Sequence, residues 1–135
     1  MSEQIFDPIR KKWLVKTPEE LVRQTLILYL HNNKKVPYHL MSCEFPIYGS
    51  GTKSRADLVV FKRDGSPLLL AECKAPEEKI DQSVFEQILR YNRMLNVSYL
   101  IITNGKSTHF AAKDLNTGTY IFADDIPNYE TLTQQ

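Results

Sequence analysis

The sequence has few of the residues and segments that mark secreted, membrane or zinc-binding proteins. Its 135 residues include two cysteines, Cys43 and Cys73, which are too few for a disulfide framework or a cysteine zinc site. No run approaches the roughly 18 apolar residues of a membrane-spanning helix, and the N-terminal stretch lacks the apolar segment of a secretory signal. These absences favour a cytoplasmic protein with no membrane association.

An excess of charge of one sign is also missing. The 17 Lys and Arg residues nearly balance the 16 Asp and Glu residues, for a net charge of +1, whereas dedicated DNA-binding modules are often strongly basic. Positive charge is grouped locally instead, at residues 10–12, at residues 34 and 35, and at Lys53 and Arg55. The three histidines have no metal-ligand spacing. Neither a Ser/His/Asp arrangement nor a phosphate-binding glycine loop is present, so these routes to catalysis are not indicated.

The stretch TPEELVRQTLILYLHNN predicts the first helix. Thr17 can cap its N-terminus, Pro18 fits the first helical position, and Glu20 lies three residues after the cap. The helix is expected to end at about Asn32. Because its apolar residues cover most of its circumference, we expect it to be largely buried.

The remaining sequence predicts strands around one further helix. In chain order they are a strand at 39–48, a polar loop (GSGTKSR) at 49–55, a hairpin at 56–74, a helix at 75–95, a strand at 97–104 and a strand pair at 108–114 and 119–124. Pro46 indicates an edge or a bulge, Asp64-Gly65 indicates the hairpin turn, and the tail after Pro127 reads as irregular. This order predicts one α/β domain over residues 1–135, with a mixed β-sheet flanked by helices.

The hairpin carries the strongest functional signal. In LLLAECKAP, Glu72 and Lys74 are two residues apart and share one face of a strand, while Cys73 points to the opposite face and into the core. If Asp64-Gly65 is a two-residue turn, Asp57 falls directly opposite Glu72. Two carboxylates in direct register are destabilising unless a positive charge compensates them. That charge is Lys74, a metal ion or both.

Two carboxylates with open coordination positions suit a hard divalent cation. Mg²⁺ is the expected ion, with Mn²⁺ as a substitute, and water fills the remaining positions. Such an ion activates water and neutralises charge on a phosphoryl oxygen. Lys74 is placed to orient or deprotonate that water, or to stabilise charge in the transition state.

Asp57 followed by Glu72-x-Lys74 on the next strand resembles the PD-(D/E)xK nuclease pattern, with RAD in place of the literal PD. The segments TPEELVRQ, RADLVVF, LLLAECKAP, FEQILRYN and LIITNG also resemble, in the same order, the N-terminal nuclease domain of type I restriction enzyme motor subunits. The resemblance covers roughly residues 7–110. It implies a restriction-endonuclease-like core of helix, three strands, helix and strand, with extra C-terminal strands. It also implies that Asp57 and Glu72 bind the metal and that Lys74 is the catalytic lysine.

The resemblance extends to the helices. Glu20 matches the acidic helix residue that many members add to the metal site, although its spacing alone assigns it to a capping box. Gln87 and Tyr91 match a Q-x-x-x-Y motif that supports DNA handling or nuclease coupling beside the active site. They are four residues apart and share a helical face, and the alternative for Tyr91 is a core residue with a satisfied hydroxyl.

Two basic residues near Asp57 are candidate DNA contacts. Arg55 lies two residues before Asp57 and could hold a phosphate or pair with an acidic site residue. Lys53, in the polar loop, would neutralise backbone phosphate. The alternative for Lys53 is an ordinary polar loop.

The expected function is that of a Mg²⁺-dependent DNA endonuclease-like domain. Its partners are DNA and restriction–modification motor or specificity subunits, with the oligomeric state open and a homodimer as one option. A catalytically idle nucleic-acid-binding or protein-docking module that keeps the nuclease fold is the alternative. A third interpretation, in which Glu72 and Lys74 are only a surface ion pair, does not account for Asp57 falling opposite Glu72.

Overall fold

The structure is a computed structural model that describes residues 3–49 and 52–134. Two N-terminal strands form a separate hairpin, and six strands form one sheet. In chain order the elements are β1 (Gln4–Asp7), β2 (Lys12–Val15), α1 (Pro18–Lys34), a 3₁₀ turn (Tyr38–Leu40), β3 (Met41–Gly49), β4 (Thr52–Phe61), β5 (Pro67–Cys73), α2 (Gln82–Leu95), β6 (Tyr99–Thr103), β7 (Thr108–Lys113), β8 (Tyr120–Ala123) and α3 (Tyr129–Thr133). In these described ranges, no helix has the length and apolar character needed to cross a membrane.

The large sheet has the strand order β3-β4-β5-β6-β7-β8. β5 and β6 run parallel, joined by a crossover through α2, and the other neighbouring strands are antiparallel. This arrangement confirms the predicted mixed sheet flanked by helices. β3 lies at one edge, which is where Pro46 costs no ladder hydrogen bond.

Each face of the sheet has its own apolar core. The α1 side buries α1 residues against β4, β5 and β6, and its members include Leu26, Ile27, Leu30, Leu58, Leu69 and Ile101. The α2 side includes Val59, Leu70, Ile88, Leu100 and Ile102. Cys73 is 1% exposed and lies in the α1-side core, as expected. The strands β4 and β5, which carry Asp57 and Glu72, are therefore packed on both faces, and this packing fixes their positions.

The first helix begins as predicted and is buried less than predicted. The Thr17 hydroxyl accepts a hydrogen bond from the Glu20 N–H at 3.1 Å, and Lys35 ends the helix in the left-handed conformation. However, Leu21, Leu28 and Tyr29 are 40%, 46% and 39% exposed. The prediction of a largely buried helix was wrong at these positions, because α1 packs against the sheet on one side.

The turn between β4 and β5 is wider than the sequence predicts. A two-residue turn would pair Arg63 directly with Ser66. Instead β4 ends at Phe61, which pairs with Pro67. The Lys62 N–H donates to the Ser66 carbonyl at 2.8 Å and closes a longer loop. The predicted turn geometry was therefore wrong.

The predicted register nevertheless holds up to the residues that precede the site. An irregularity between Val60 and Phe61 shifts the ladder by one residue, and beyond it Leu58 pairs with Ala71. This is the last described pair of the ladder, and the predicted pair of Asp57 with Glu72 lies one step beyond it. One deviation in the turn is thus compensated by another in the strand.

Three other element predictions need correction. The second helix begins at Gln82 and not at residue 75, because the Asp81 carboxylate caps the N–H groups of Ser83 and Val84. The tail after Pro127 contains α3, whose Tyr129 is fully buried and donates a hydrogen bond to the Phe61 carbonyl at 2.7 Å. The hairpin at residues 4–15 has no counterpart among the predicted elements.

The predicted loop GSGTKSR is also mostly strand. β3 continues to Gly49, which pairs with Thr52, and β4 runs on from there. Residues 50 and 51 lie outside the described residues. Lys53 and Arg55 are therefore strand residues opposite Tyr48 and Pro46, held by cross-strand pairing that a composition rich in glycine and serine did not reveal.

Candidate active site

Two carboxylates meet where β4 and β5 lie side by side. Asp57 accepts a hydrogen bond from the Cys73 N–H at 2.7 Å, through its Oδ2 atom. The neighbouring Glu72 side chain is 8% exposed. Its Oε2 atom is buried without a hydrogen-bond partner among the described residues. Burial, followed by the nearby charge of Asp57, raises the pKa of Glu72 well above its ordinary value.

The lysine of the motif lies beside this pair. The Lys74 Nζ atom is 3.7 Å from Glu72 Oε1 and donates to Gln87 Oε1 at 3.3 Å. Gln87 in turn donates through Nε2 to the Tyr91 hydroxyl at 3.0 Å. The Tyr91 ring is partly buried against the α2-side core. The ring of Tyr91 therefore packs as a core residue, and its hydroxyl bonds the glutamine that holds Lys74; a role of this pair in DNA handling stays a prediction.

The donor set suits a hard cation that the protein holds only in part. Among residues 3–49 and 52–134, no three His, Cys, Asp or Glu side chains form a group able to hold a metal alone. Mg²⁺ usually keeps several waters and is bound through one or two carboxylates together with substrate phosphates. A buried, unpartnered Glu72 oxygen beside Asp57 fits that mode, because an orphaned carboxylate oxygen is costly until a cation or donor reaches it.

Glu20 is bonded to residues of the hairpin and of α1. Its carboxylate accepts two hydrogen bonds from Arg10 at 3.1 and 3.2 Å. It also accepts one from Arg23 at 3.2 Å and one from Gln24 at 3.0 Å. These four bonds occupy both oxygens of the carboxylate, and a metal role for Glu20 stays a prediction. The capping-box prediction is wrong, because the Thr17 N–H donates to the Val15 carbonyl.

Glu19, which precedes Glu20 on α1, is affected by the charges of Asp57 and Lys74. Burial and then the charge of Asp57 raise its pKa, while Arg23 and Lys74 oppose that shift. Glu19 also contributes to the raised pKa of Glu72. The signal in the sequence is the doublet Glu19-Glu20, whose members point about 100° apart on a helix. Sequence alone did not identify which of them faces the strands.

Arg23 is a second residue that the sequence analysis missed. It is 5% exposed and donates to Glu44 Oε1 at 3.0 Å and to the Asp57 carbonyl at 3.3 Å. Glu44 has a φ of 56°, a conformation rare for a residue with a side chain. It sits between the pairs Cys43–Leu58 and Phe45–Ala56, which is opposite Asp57. Arg23 therefore fixes the Asp57 backbone where the ladder is interrupted.

The two predicted phosphate contacts lie on β4. The Arg55 side chain is 71% exposed, and its Nη1 atom is 3.9 Å from Glu44 Oε2. It therefore approaches Glu44 and not the Asp57–Glu72 pair. Lys53 lies opposite Tyr48, two residues further from the carboxylates along the strand. Phosphate binding by Arg55 and Lys53 stays a prediction.

Two solved structures share this architecture. A fragment assigned as an HsdR subunit of a type I restriction enzyme from Vibrio vulnificus YJ016 matches with a TM-score of 0.56 and 20% identity, over 79% of this chain and 22% of that chain. A nuclease assigned to the DUF820 group from Anabaena variabilis matches with a TM-score of 0.55 and 10% identity, over 93% of this chain and 82% of that one. The fold is that of a restriction-endonuclease-like α/β domain.

Sequence comparison identifies the family. The family described as the type I restriction enzyme R protein N terminus matches residues 18–127, and the chain belongs to that family. The chain is also 32% identical, over 88 residues, to the type I restriction enzyme EcoAI endonuclease subunit of Escherichia coli. That match covers 62% of this chain and 11% of the relative's length, so the chain corresponds to a small part of such a subunit.

Proposed function

We propose that this domain hydrolyses DNA phosphodiester bonds with Mg²⁺ as its cofactor, and that Mn²⁺ can replace it. The observation that supports the proposal is the grouping of Asp57, Glu72 and Lys74, with a buried Glu72 oxygen that lacks a partner. A buried polar atom without a hydrogen-bond partner is costly, and ionisable groups with a perturbed pKa concentrate at functional sites. Membership of a restriction enzyme family is consistent with the same chemistry.

Asp57 and Glu72 are the proposed metal ligands, with Glu19 and Glu20 as candidates for a third. When bound, the cation would supply an activated water and neutralise charge on the phosphate. The Cys73 N–H holds Asp57 in position through its hydrogen bond at 2.7 Å. Arg23 holds the backbone of the same residue. Both supports lie on packed elements, which keep the carboxylates in place before substrate arrives.

Lys74 acts on the substrate or on the attacking water, beside the Asp57 and Glu72 carboxylates. Its ammonium group orients the attacking water or stabilises negative charge on the phosphate in the transition state. Gln87 holds that ammonium group at 3.3 Å, and the Tyr91 hydroxyl holds Gln87. The Q-x-x-x-Y pair therefore positions Lys74.

The proposed setting is a restriction–modification assembly. The Escherichia coli relative is named an endonuclease subunit, and this chain covers 11% of its length. We infer that DNA is the substrate and that motor or specificity subunits license cleavage. A homodimer of this chain is the alternative assembly.

Metal titration combined with a cleavage assay tests the proposal. Mg²⁺ and Mn²⁺ are titrated calorimetrically into the wild type and into Asp57→Asn/Glu72→Gln, with and without DNA, and the same samples are incubated with plasmid. We expect the double variant to lose both metal binding and nicking. Asp124→Asn/Asp125→Asn is the matched control, because it removes two exposed carboxylates outside the proposed site. Wild-type cleavage by the Asp57/Glu72 variant would refute the mechanism.

An idle module that binds nucleic acid or a protein is the second candidate. Two observations favour it, the net charge of +1 and the lack of a three-residue metal group in the described part of the chain. This candidate predicts DNA binding that depends on salt and is unaffected by Asp57→Asn, with no nicking in any metal. Metal binding in the presence of DNA, without nicking, would instead indicate a nuclease that requires its partners.

A further inference from the structure

The N-terminal hairpin carries an apolar outer face that the proposed active site does not use. β1 and β2 pair so that Phe6 lies opposite Trp13, and Val15 follows on the same face. These side chains are 44%, 63% and 56% exposed. We call these three residues the hairpin face. Large apolar side chains grouped on a small exposed element mark an interaction surface more often than a random part of the surface does.

Trp13 is held in a position suited to stacking. The Phe6 and Trp13 ring centroids are 5.4 Å apart and the ring planes meet at 63°. An edge-to-face contact of this kind fixes the indole and leaves most of the side chain open to solvent. A rigid exposed aromatic ring costs little entropy when a flat ligand stacks on it.

The charge of the hairpin favours an anionic ligand. Its acidic residues are already paired, Asp7 with Arg10 and Glu3 with Lys16 at 3.2 Å. Lys11, in the turn, and Lys12, the first residue of β2, are exposed. Neither forms an ion pair with any residue in the described ranges. Two cations without ion-pair partners therefore stand at the turn end of the hairpin, next to Trp13 in the chain.

The hairpin is anchored next to the proposed active site. Arg10, in the turn, bonds both Asp7 and Glu20, so the hairpin is docked on the first turn of α1. Glu20 also accepts a hydrogen bond from Arg23, which donates to the Asp57 carbonyl at 3.3 Å. A DNA strand bound at the carboxylates could therefore continue past the start of α1 and reach the hairpin.

We propose that the hairpin face binds unpaired, single-stranded DNA, with a base stacked on Trp13 and backbone phosphates on Lys11 and Lys12. Aromatic platforms beside cations are the usual means by which proteins hold single strands without sequence preference. The choice of DNA as the ligand rests on the proposed nuclease function. The hairpin would then hold a single DNA strand next to the carboxylates of Asp57 and Glu72.

The chain supplies its own probe, because Trp13 is its single tryptophan. Asp57→Asn protein in EDTA is titrated with oligo(dT), so that binding is measured without cleavage. We expect saturable quenching of Trp13 emission, and weaker quenching by a blunt duplex of equal length. The intact protein in the presence of Mg²⁺ is assayed for nicking in parallel, which keeps the hairpin and the nuclease proposals separable.

A charge-matched pair of variants tests the phosphate contacts. Lys11→Gln/Lys12→Gln is compared with Lys34→Gln/Lys35→Gln, using the anisotropy of labelled oligo(dT). The pairs are matched, because each contains one lysine with positive φ, 55° at Lys11 and 62° at Lys35. The hairpin pair should weaken binding by about tenfold at ~0.1 M salt and reduce the salt slope by about 1.4, from ~0.7 per phosphate on a single strand. The control pair should keep wild-type affinity.

Trp13→Ala should weaken oligo(dT) binding by about tenfold, which lies within the range for one stacked base. The proposal is overturned if DNA binds without changing Trp13 emission, or if the two lysine pairs behave alike. A Trp13 signal that responds to protein concentration and not to DNA would also overturn it, and would indicate contact between copies of the chain. Nicking without any Trp13 response would leave the nuclease proposal standing and reject the hairpin proposal.

Discussion

At the residue scale, two neighbouring glutamates of α1 serve different structures. The charge of Asp57 raises the pKa of Glu19 and the charge of Lys74 lowers it. Glu20 is instead bonded to Arg10, Arg23 and Gln24. The division follows from the helix, because consecutive residues point about 100° apart. Their neutral variants should therefore have different effects.

Glu20→Gln should lower the free energy of unfolding by about 2 kcal/mol, because it removes the anion that the Arg10 and Arg23 guanidinium groups share, although Asp7 and Glu44 remain as their other partners. Glu19→Gln should leave stability near the wild-type value and weaken Mg²⁺ binding in the presence of DNA. Urea unfolding and calorimetry on both variants measure these effects. Weaker metal binding by a stably folded Glu20→Gln protein, with normal binding by Glu19→Gln, would contradict this assignment.

At the element scale, α1 connects the hairpin, the site and the sheet. Its inner face enters the core through Leu26, Ile27 and Leu30, and its first turn presents Glu19 and Glu20. The position of this turn depends on the Thr17 cap, which receives the Glu20 N–H at 3.1 Å. Loss of the cap should therefore affect stability and site together.

Thr17→Ala should cost about 1 kcal/mol of unfolding free energy, the usual value for losing a threonine N-cap. Thr25→Ala in the same helix is the control, because Thr25 donates to the Leu21 carbonyl from an exposed mid-helix position and alanine is the better helix former there. Thermal and urea unfolding compare the two variants. Equal destabilisation by both substitutions would show that the cap contributes nothing.

At the scale of the whole molecule, Arg10 fastens the hairpin to the domain, because it pairs with Asp7 within the hairpin and with Glu20 on α1. Asp7 is fully buried. Burial acts to raise its pKa, but hydrogen bonds from the Arg10 side chain and from the N–H groups of Ile9 and Arg10 hold that pKa below its ordinary value. A carboxyl whose folded pKa lies below its unfolded pKa of about 3.9 stabilises the native state above that pH. The contribution disappears as the pH falls through the folded pKa.

Asp7→Asn should therefore lower the unfolding free energy at neutral pH and flatten its decline below about pH 4. Arg10→Met should remove the same part of the pH dependence, because the main side-chain donor to Asp7 is lost. Urea unfolding at a series of pH values measures both variants. An unchanged slope in Asp7→Asn would show that acid unfolding is governed elsewhere.

Much of the fold followed from local patterns. The periodicity of α1, the apolar run of β5 and the strand–helix–strand crossover predicted the mixed sheet, and Pro46 predicted an edge strand. The turn at Asp64-Gly65 was predicted with the wrong geometry. The register beside Asp57 was still right because the irregularity between Val60 and Phe61 compensates for the turn. The N-terminal hairpin and α3 were missed, since each is short and is held by distant contacts such as Tyr129 with Phe61.

The sequence by itself determined the family and the acidic motif, because the spacing of Asp57, Glu72 and Lys74 is set by strand periodicity within one hairpin. The partners of those residues across the molecule depended on tertiary structure. Packing of α1 on the sheet placed Glu20 between two arginines and brought Arg23 to the Asp57 carbonyl. Such choices depend on how a helix is rotated against the sheet, which many distant contacts decide together and no local pattern records.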